Sequence, residues 1–204
     1  MSQGASPLRS GHDLRLLVGS GEYFPALVAA IDAARAEVRL ETYIFDFTGS
    51  GADVANALER AARRGVAVRV VVDGYGTPEL PASWRLRLEA AGVQWVVFLP
   101  PGPFGLLYPR QWRRMHRKLC VVDGTVGFCG GINVLDDFHD PNHGVLEAPR
   151  FDFAMRVTGA LVQQMHATME TQWRRLQAVR QLRHAQLAGA VDSLLPHGAH
   201  GTPA

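Results

Sequence analysis

The pattern of apolar and polar positions divides the first half of the chain into alternating strands and helices. Continuous or alternating apolar runs, typical of strands, occur at residues 14–18, 38–45, 66–73 and 93–99. Between them, apolar residues recur at helical spacing at residues 23–37, 53–64 and 81–91. This alternation predicts an α/β fold built on a layered sheet.

The second half adds a hairpin, a further strand and a long helix. The runs LCVV and TVGFC predict two buried strands joined by a tight turn at Asp123–Gly124–Thr125. A strand is predicted at 151–157 and a helix at 161–181, and the proline-rich residues 100–115 predict a loop. We therefore expect one domain at 13–182, with disordered ends at 1–12 and 183–204.

Composition is that of a cytosolic enzyme domain. The 204 residues, 47% of them hydrophobic, suffice for one core. No run of 18 apolar residues and no apolar signal core occurs, so we expect neither a membrane span nor secretion. The net charge is only +2, which disfavours a polycation built to bind nucleic acid.

One stretch, from His116 to Asn133, concentrates groups that handle phosphate. Its skeleton is His116-x-Lys118, followed by Asp123 and then by Gly130-Gly131-x-Asn133. Residues two apart on a strand share a face, so a nucleophilic imidazole and an ammonium group are predicted side by side. Lys118 is also the single lysine among 21 basic residues, which indicates that this position needs a compact cation.

The other motif residues would have supporting roles if the imidazole of His116 attacks a phosphodiester. Lys118 and Asn133 would bind the non-bridging oxygens of a phosphodiester, whose charge must be stabilised in the transition state. Gly130 and Gly131 would let the backbone approach the phosphate closely. Asp123 would either orient the imidazole of His116 or tie down the hairpin.

The motif resembles HxK(x)4D(x)6GGxN of the phospholipase D superfamily, and its doubled glycine resembles the N-terminal half of bacterial cardiolipin synthases. Glu41 in ETYIF and the segments 68–74 and 152–159 agree, so the similarity spans residues 16–173. The resemblance implies a phospholipase D-like mixed sheet flanked by helices on both faces. It also implies a phosphohistidine at His116, catalytic roles for His116, Lys118 and Asp123, substrate contacts from Glu41, and no metal or other cofactor.

The resemblance also implies a second copy of the motif, whose histidine supplies the proton for the leaving alkoxide. No other histidine in this chain is followed two residues later by lysine. We therefore expect either a two-fold homodimer or a separate second half to complete the site.

Two loops beside the motif carry further candidates. Arg110, Arg113, Arg114 and Arg117 lie close to the motif together with Tyr108 and Trp112, either as a solvated basic loop or as a collar for anionic head groups, with Arg114 as a substrate-binding candidate. Residues 136–143 hold aspartates and histidines that could bind a metal, although a polar loop over the site is the preferred interpretation.

The two cysteines have no metal-binding spacing. A turn at Gly124–Thr125 would place Cys120 and Cys129 opposite each other on adjacent strands. We expect reduced core thiols, with a cross-strand disulfide as the alternative.

Three functions compete at this point. The leading hypothesis is phosphatidyl transfer to the hydroxyl of phosphatidylglycerol by a peripheral enzyme at the inner face of the cell membrane. The second is a homodimeric phosphodiesterase or nuclease, and the third is a half-domain that binds phospholipid without turnover. The low net charge and the apolar residues 104–108 favour lipid over nucleic acid.

Overall fold

The computed structural model describes residues 10–77, 79–100, 114–140 and 144–194. The chain divides into two compact units, Met1–Met169 and Glu170–Ala204. The sheet and the motif from His116 to Asn133 lie entirely in the first unit. The second unit begins inside the last helix.

A seven-stranded mixed sheet organises the first unit. Its strands lie in the order β1-β9-β6-β5-β2-β3-β4; β2, β3 and β4 are parallel, and the remaining neighbours are antiparallel. A separate two-stranded pair is formed by β7 and β8. The strands are β1 His12–Val18, β2 Glu37–Thr42, β3 Ala67–Asp73, β4 Gln94–Phe98, β5 Leu119–Val122, β6 Val126–Gly130, β7 His139–Asp140, β8 Gly144–Val145 and β9 Phe153–Gly159.

Helices cover both faces of this sheet, as predicted. They are α1 Gly19–Asp32, α2 Gly49–Arg63, α3 Ala82–Ala91 and α4 Ala160–Leu194. Successive side chains of a strand point to opposite faces, so Cys120 packs in the core beneath α1 and α2, whereas Val121 packs against Val162, Met165 and Met169 of α4. The α/β fold with a mixed sheet is therefore confirmed.

Helix α1 starts earlier than the apolar pattern predicts. It begins at Gly19, immediately after β1, where the carboxylate of Asp137 accepts the backbone N–H of Ser20 at 2.5 Å. A carboxylate at a helix N-terminus satisfies a free N–H and stabilises the helix dipole. Because this cap lies 117 residues away in sequence, the local pattern could not reveal it.

Helix α4 also extends beyond its predicted end. It continues from Ala160 to Leu194 rather than stopping at residue 181. Residues 183–194, for which the sequence predicts disorder, therefore lie in α4, and residues 195–204 lie outside the described residues. At the other terminus β1 begins at His12, and residues 1–9 are likewise outside the described part of the chain.

The hairpin register differs from the prediction by one residue. Val122 pairs with Val126 across a three-residue loop in which Asp123 and Gly124 have positive φ, +50° and +63°. Cys120 consequently faces Phe128, and Cys129 faces Leu119. The expected opposition of the two cysteines is wrong because a one-residue slip turns each side chain to the other face of the sheet. Both thiols are free.

No helix in the described residues is both long enough and apolar enough to cross a bilayer.

Candidate active site

His116 and Lys118 meet at one end of the sheet, in the extended segment that leads into β5. The Nζ atom of Lys118 lies 3.1 Å from Nε2 of His116. His116 is exposed, whereas Lys118 is only 6% exposed. The structure therefore brings together the two residues that the spacing predicts to be neighbours, with a solvent-accessible imidazole and a buried cation beneath it.

The contact between the two nitrogens joins the lysine amine to a ring nitrogen that donates or accepts according to the tautomer of His116. A charged lysine can only donate, so it hydrogen-bonds to an unprotonated Nε2. Burial lowers the pKa of Lys118, and the negative charge of Asp152 partly offsets this effect. A neutral imidazole is the nucleophilic form, so the pair is arranged for attack on an electrophilic phosphorus.

Tyr43 forms one wall of the site. Its ring centroid lies 5.2 Å from that of His116, and Nζ of Lys118 lies 5.5 Å from the same ring. Tyr43 follows directly after β2, the neighbour of β5 in the sheet. An aromatic face beside a cation restricts the lysine to one direction and excludes water from one side.

The segment before His116 is fixed by Asp73, a residue that the sequence analysis did not single out. Asp73 ends β3 and is fully buried. Its carboxylate accepts the backbone N–H of Met115 at 2.7 Å and that of Tyr75 at 2.8 Å. An aspartate closing an apolar strand, as in VRVVVDG, is the available signal, because such a carboxylate must find donors once it is buried.

Asn133 joins the motif to the neighbouring loop. Its Oδ1 accepts the backbone N–H of Ile44 at 3.1 Å. This bond orients the amide and commits its oxygen to the fold. Only the amide nitrogen of Asn133 can therefore donate to a substrate phosphate, as we expect from its predicted role.

Gly130 and Gly131 are required by the packing of the sheet. A Cβ at Gly130 would clash with the carbonyl oxygen of Phe153 and would lie 2.5 Å from Cα of Ala154. A Cβ at Gly131 would clash with the carboxylate of Asp152. The space around the doubled glycine is thus occupied by β9 and the residue before it, so the glycines permit close packing of β9, and their predicted role in the approach of a phosphate stays a prediction.

Asp123 lies at the opposite end of β5 from His116. Its carboxylate accepts the backbone N–H groups of Arg35 at 2.9 Å, Ala36 at 2.8 Å and Glu37 at 2.9 Å. Partial burial alone would raise the pKa of Asp123, but these three donors lower it overall. Of the two roles considered, the geometry supports tying down the hairpin and not orienting the imidazole.

Glu41 lies on the face of the sheet that does not carry the α1–α2 core, and it is only 2% exposed. The guanidinium of Arg117 approaches its Oε2 to 2.8 Å, without hydrogen-bond geometry. Burial raises the pKa of Glu41 to about 7, against the opposing charges of Arg117 and Arg39. Glu41 contacts Arg117, the residue between His116 and Lys118, so the described contact links it to the site indirectly; its predicted contact with substrate stays a prediction.

Arg114 belongs to the basic loop and precedes His116 by two residues, within the described part of the chain. Its guanidinium lies over the ring of Tyr75, 4.8 Å from the centroid. Its Nη1 is buried and has no hydrogen-bond partner among the described residues. The remaining collar residues, Tyr108, Arg110, Trp112 and Arg113, lie outside the described part of the chain.

The acidic loop after Asn133 stabilises helix ends. Asp136 accepts the hydroxyl of Ser50 at 3.1 Å at the start of α2, and Asp137 caps α1. No cluster of metal-ligating side chains is found among the described residues, which do not include His143. The loop therefore connects the motif to both helices.

A comparison with protein families matches residues 27–146 to the phospholipase D-like domain of cardiolipin synthase. The chain belongs to this family.

Curated relatives of this phospholipase D-like domain agree. The chain is 38% identical over 156 residues to cardiolipin synthase B of Shigella flexneri, which covers 76% of this chain and 37% of the relative. It is 31% identical over 163 residues to a probable cardiolipin synthase of Bacillus subtilis, covering 79% of this chain and 32% of the relative. The chain thus spans about a third of the length of these curated relatives.

Solved structures show the same fold at low sequence identity. A phospholipase D family member, Nuc from Salmonella typhimurium, superposes with a TM-score of 0.58 and 18% identity over 80% of this chain and 95% of that one. NucT from Helicobacter pylori gives 0.59 and 16% identity over 82% and 97% of the two chains. The mixed sheet flanked by helices is therefore that of the phospholipase D fold.

Proposed function

We propose that this domain catalyses phosphatidyl transfer between phospholipids through a phosphohistidine at His116. The observation that carries the proposal is the contact of 3.1 Å between Nζ of Lys118 and Nε2 of His116. The imidazole attacks phosphorus, a P–N bond forms, and the bond to the leaving glycerol oxygen breaks. Lys118 and the amide nitrogen of Asn133 stabilise the charge on the non-bridging oxygens.

The second half of the reaction returns the phosphatidyl group to an alcohol. The terminal hydroxyl of phosphatidylglycerol attacks the phosphohistidine, the P–N bond breaks, and cardiolipin leaves. Support for this substrate comes from the relatives that are named cardiolipin synthases, at 38% and 31% identity. Asp123 is assigned a structural role in this proposal, and Glu41 acts through Arg117.

The leaving alkoxide still needs a proton donor. Of the described histidines other than His116, His12 accepts the backbone N–H of Leu161, His166 pairs with Glu37 at 2.5 Å, and His139 is exposed on β7. No second His-x-Lys pair exists in the sequence. We therefore infer that the acid is a histidine of a second half, supplied either by a second copy of this chain or by a separate polypeptide.

Contact with a membrane surface is part of the proposal. Phe151 is 88% exposed and immediately precedes Asp152, whose charge acts on Lys118. Its ring packs against Phe153, and the neighbouring strand adds exposed apolar side chains at Leu14, Leu16 and Val18. These exposed apolar groups line an edge of the sheet whose end, at Val18, pairs with Phe153 next to Asp152. They would enter the interface of the membrane and bring the head group to His116; we assign this surface to the inner leaflet.

The test offers the purified chain phosphatidylglycerol vesicles and, separately, plasmid DNA. We expect cardiolipin and glycerol from the vesicles, and neither product from the His116→Ala variant. Light scattering alongside reports whether the active species is a dimer. DNA cleavage by the parent without lipid turnover would contradict the proposal, and vesicle binding without turnover would identify a half that needs its partner.

A further inference from the structure

A cation lies two residues away from His116 on either side. Lys118 follows the histidine and Arg114 precedes it, in an extended segment without helix or sheet pairing. Residues two apart in extended backbone are separated by roughly 6 to 7 Å. Phosphatidyl transfer involves two phosphates, one that reacts and one that belongs to the acceptor lipid. Of the two cations, the reaction assigned above uses only Lys118.

The position of Arg114 is built into the fold. The buried carboxylate of Asp73 holds the backbone N–H of Met115 at 2.7 Å and that of Tyr75 at 2.8 Å. One carboxylate thereby fixes the backbone of Tyr75 and of Met115, the residue after Arg114, and Cζ of Arg114 lies 4.8 Å from the centroid of the Tyr75 ring. A guanidinium stacked on an aromatic ring is held in one plane and keeps its edges for hydrogen bonds.

One of those edges lacks a partner. Nη1 of Arg114 is buried and makes no hydrogen bond within the described residues. Buried donors are almost always satisfied in folded proteins, and an unsatisfied charged donor is especially unfavourable. A planar donor of this kind matches phosphate and carboxylate oxygens.

Tyr43 connects Arg114 to the nucleophile. The ring of Tyr43 contacts that of His116 at 5.2 Å. Burial raises the pKa of Tyr43, the charge of Asp73 raises it further, and the positive charge of Arg114 acts in the opposite direction. Arg114 is therefore close enough to act on the wall of the site in which His116 stands.

We propose that Arg114, held against Tyr75 in a segment that Asp73 anchors at Met115, binds the phosphate of the acceptor phospholipid and thereby directs the phosphohistidine to a lipid hydroxyl instead of water. This inference rests on the proposed phosphatidyl transfer. In the second step the hydroxyl oxygen bonds to phosphorus, the P–N bond breaks with its electron pair returning to His116, and the hydroxyl proton passes to the imidazole of the second half. Water carries no phosphate and gains nothing from Arg114.

The test compares Arg114→Gln with Arg85→Gln, a matched control on the exposed side of α3. Calorimetric titration with glycerophosphoglycerol, the deacylated head group, should show two sites in the parent and the control. We expect Arg114→Gln to weaken one of them about tenfold to a hundredfold. Arg114→Lys, which keeps the charge without the planar stack, should lie between the two, and thermal unfolding establishes that all variants fold.

The product ratio supplies the second measurement. On phosphatidylglycerol vesicles the ratio of cardiolipin to phosphatidic acid should fall about tenfold or more in Arg114→Gln. An unchanged titration and an unchanged ratio would overturn the inference. If Arg114→Gln loses one head-group site but the parent forms no cardiolipin, the anion site at Arg114 is supported and the proposed transfer function is refuted instead. Titration with inorganic phosphate shows whether the site prefers free phosphate to the lipid head group. A single-stranded oligonucleotide that binds the parent more tightly than glycerophosphoglycerol does, and loses affinity in Arg114→Gln, would overturn the assignment to lipid.

Discussion

Asp123 belongs to the motif, yet the structure gives it the role of a clamp, and this distinction can be measured. Its carboxylate accepts three backbone N–H groups, from Arg35, Ala36 and Glu37, at 2.8 to 2.9 Å. Two of these bonds are exposed and one is partly buried. At about 0.5–1.5 kcal/mol for each bond, their removal should lower the free energy of unfolding by about 3 kcal/mol.

The choice of substitution matters because Asp123 has a φ of +50°. Asp123→Ala loses the three bonds and adds roughly 1 kcal/mol for the left-handed conformation. Asp123→Gly loses the bonds without that conformational penalty, and Asp123→Asn keeps an acceptor oxygen and tolerates positive φ. We expect stability to fall in the order parent, Asn, Gly, Ala, measured by urea denaturation at pH 7.

The dependence of stability on pH in the acidic range provides a second test of the contacts that Asp123 makes. The backbone donors hold the pKa of Asp123 below its ordinary value of 3.8 in the folded state. A lowered folded-state pKa contributes stability above the unfolded-state pKa, and that contribution is lost as pH falls through the folded-state pKa. The stability difference between the parent and Asp123→Asn should therefore shrink below about pH 4. If Asp123→Asn instead keeps parental stability and loses turnover by orders of magnitude, the clamp interpretation fails.

Two further predictions concern buried charges beside the motif. Lys118→Arg should abolish most turnover, because the bulkier guanidinium of arginine displaces the contact with His116. Since Lys118 is only 6% exposed, the larger side chain should also lower the free energy of unfolding by about 1–3 kcal/mol. A variant with near-parental turnover rates would contradict this prediction. Burial raises the pKa of Glu41 to about 7 despite the charges of Arg117 and Arg39, so ionisation of Glu41 opposes folding. The parent should therefore lose stability as pH rises from about 5 to 7.5. Over that range the stability of Glu41→Gln relative to the parent should increase by up to about 3 kcal/mol. A pH-independent difference in chemical denaturation would show that Glu41 remains ionised throughout.

The nucleophile and its cation could be predicted because their spacing alone sets their geometry. His116 and Lys118 are two residues apart in extended backbone, and the structure places their nitrogens 3.1 Å apart. The layered sheet was predictable for a similar reason, since Val-rich β3 is buried on both faces and forms a continuous apolar run. Local periodicity contains this information.

The remaining features depend on contacts between distant parts of the chain. Asp73 acts on the segment before His116 across 42 residues, and Asp137 starts α1 across 117 residues. The hairpin register depends on a single residue, because Asp123 and Gly124 both adopt positive φ and lengthen the loop to three. A sequence pattern indicates that a buried carboxylate needs donors, but only the fold shows which donors it finds.

The most direct test of the proposed mechanism is detection of the covalent intermediate. The purified chain would be mixed with phosphatidylglycerol vesicles, quenched rapidly in base, digested and analysed by mass spectrometry. We predict a phosphatidyl group on the peptide that contains His116, in an acid-labile phosphoramidate linkage, and its complete absence in the His116→Ala variant. An adduct on any other residue, or lipid turnover by His116→Ala at the parental rate, would contradict the proposal that His116 is the nucleophile.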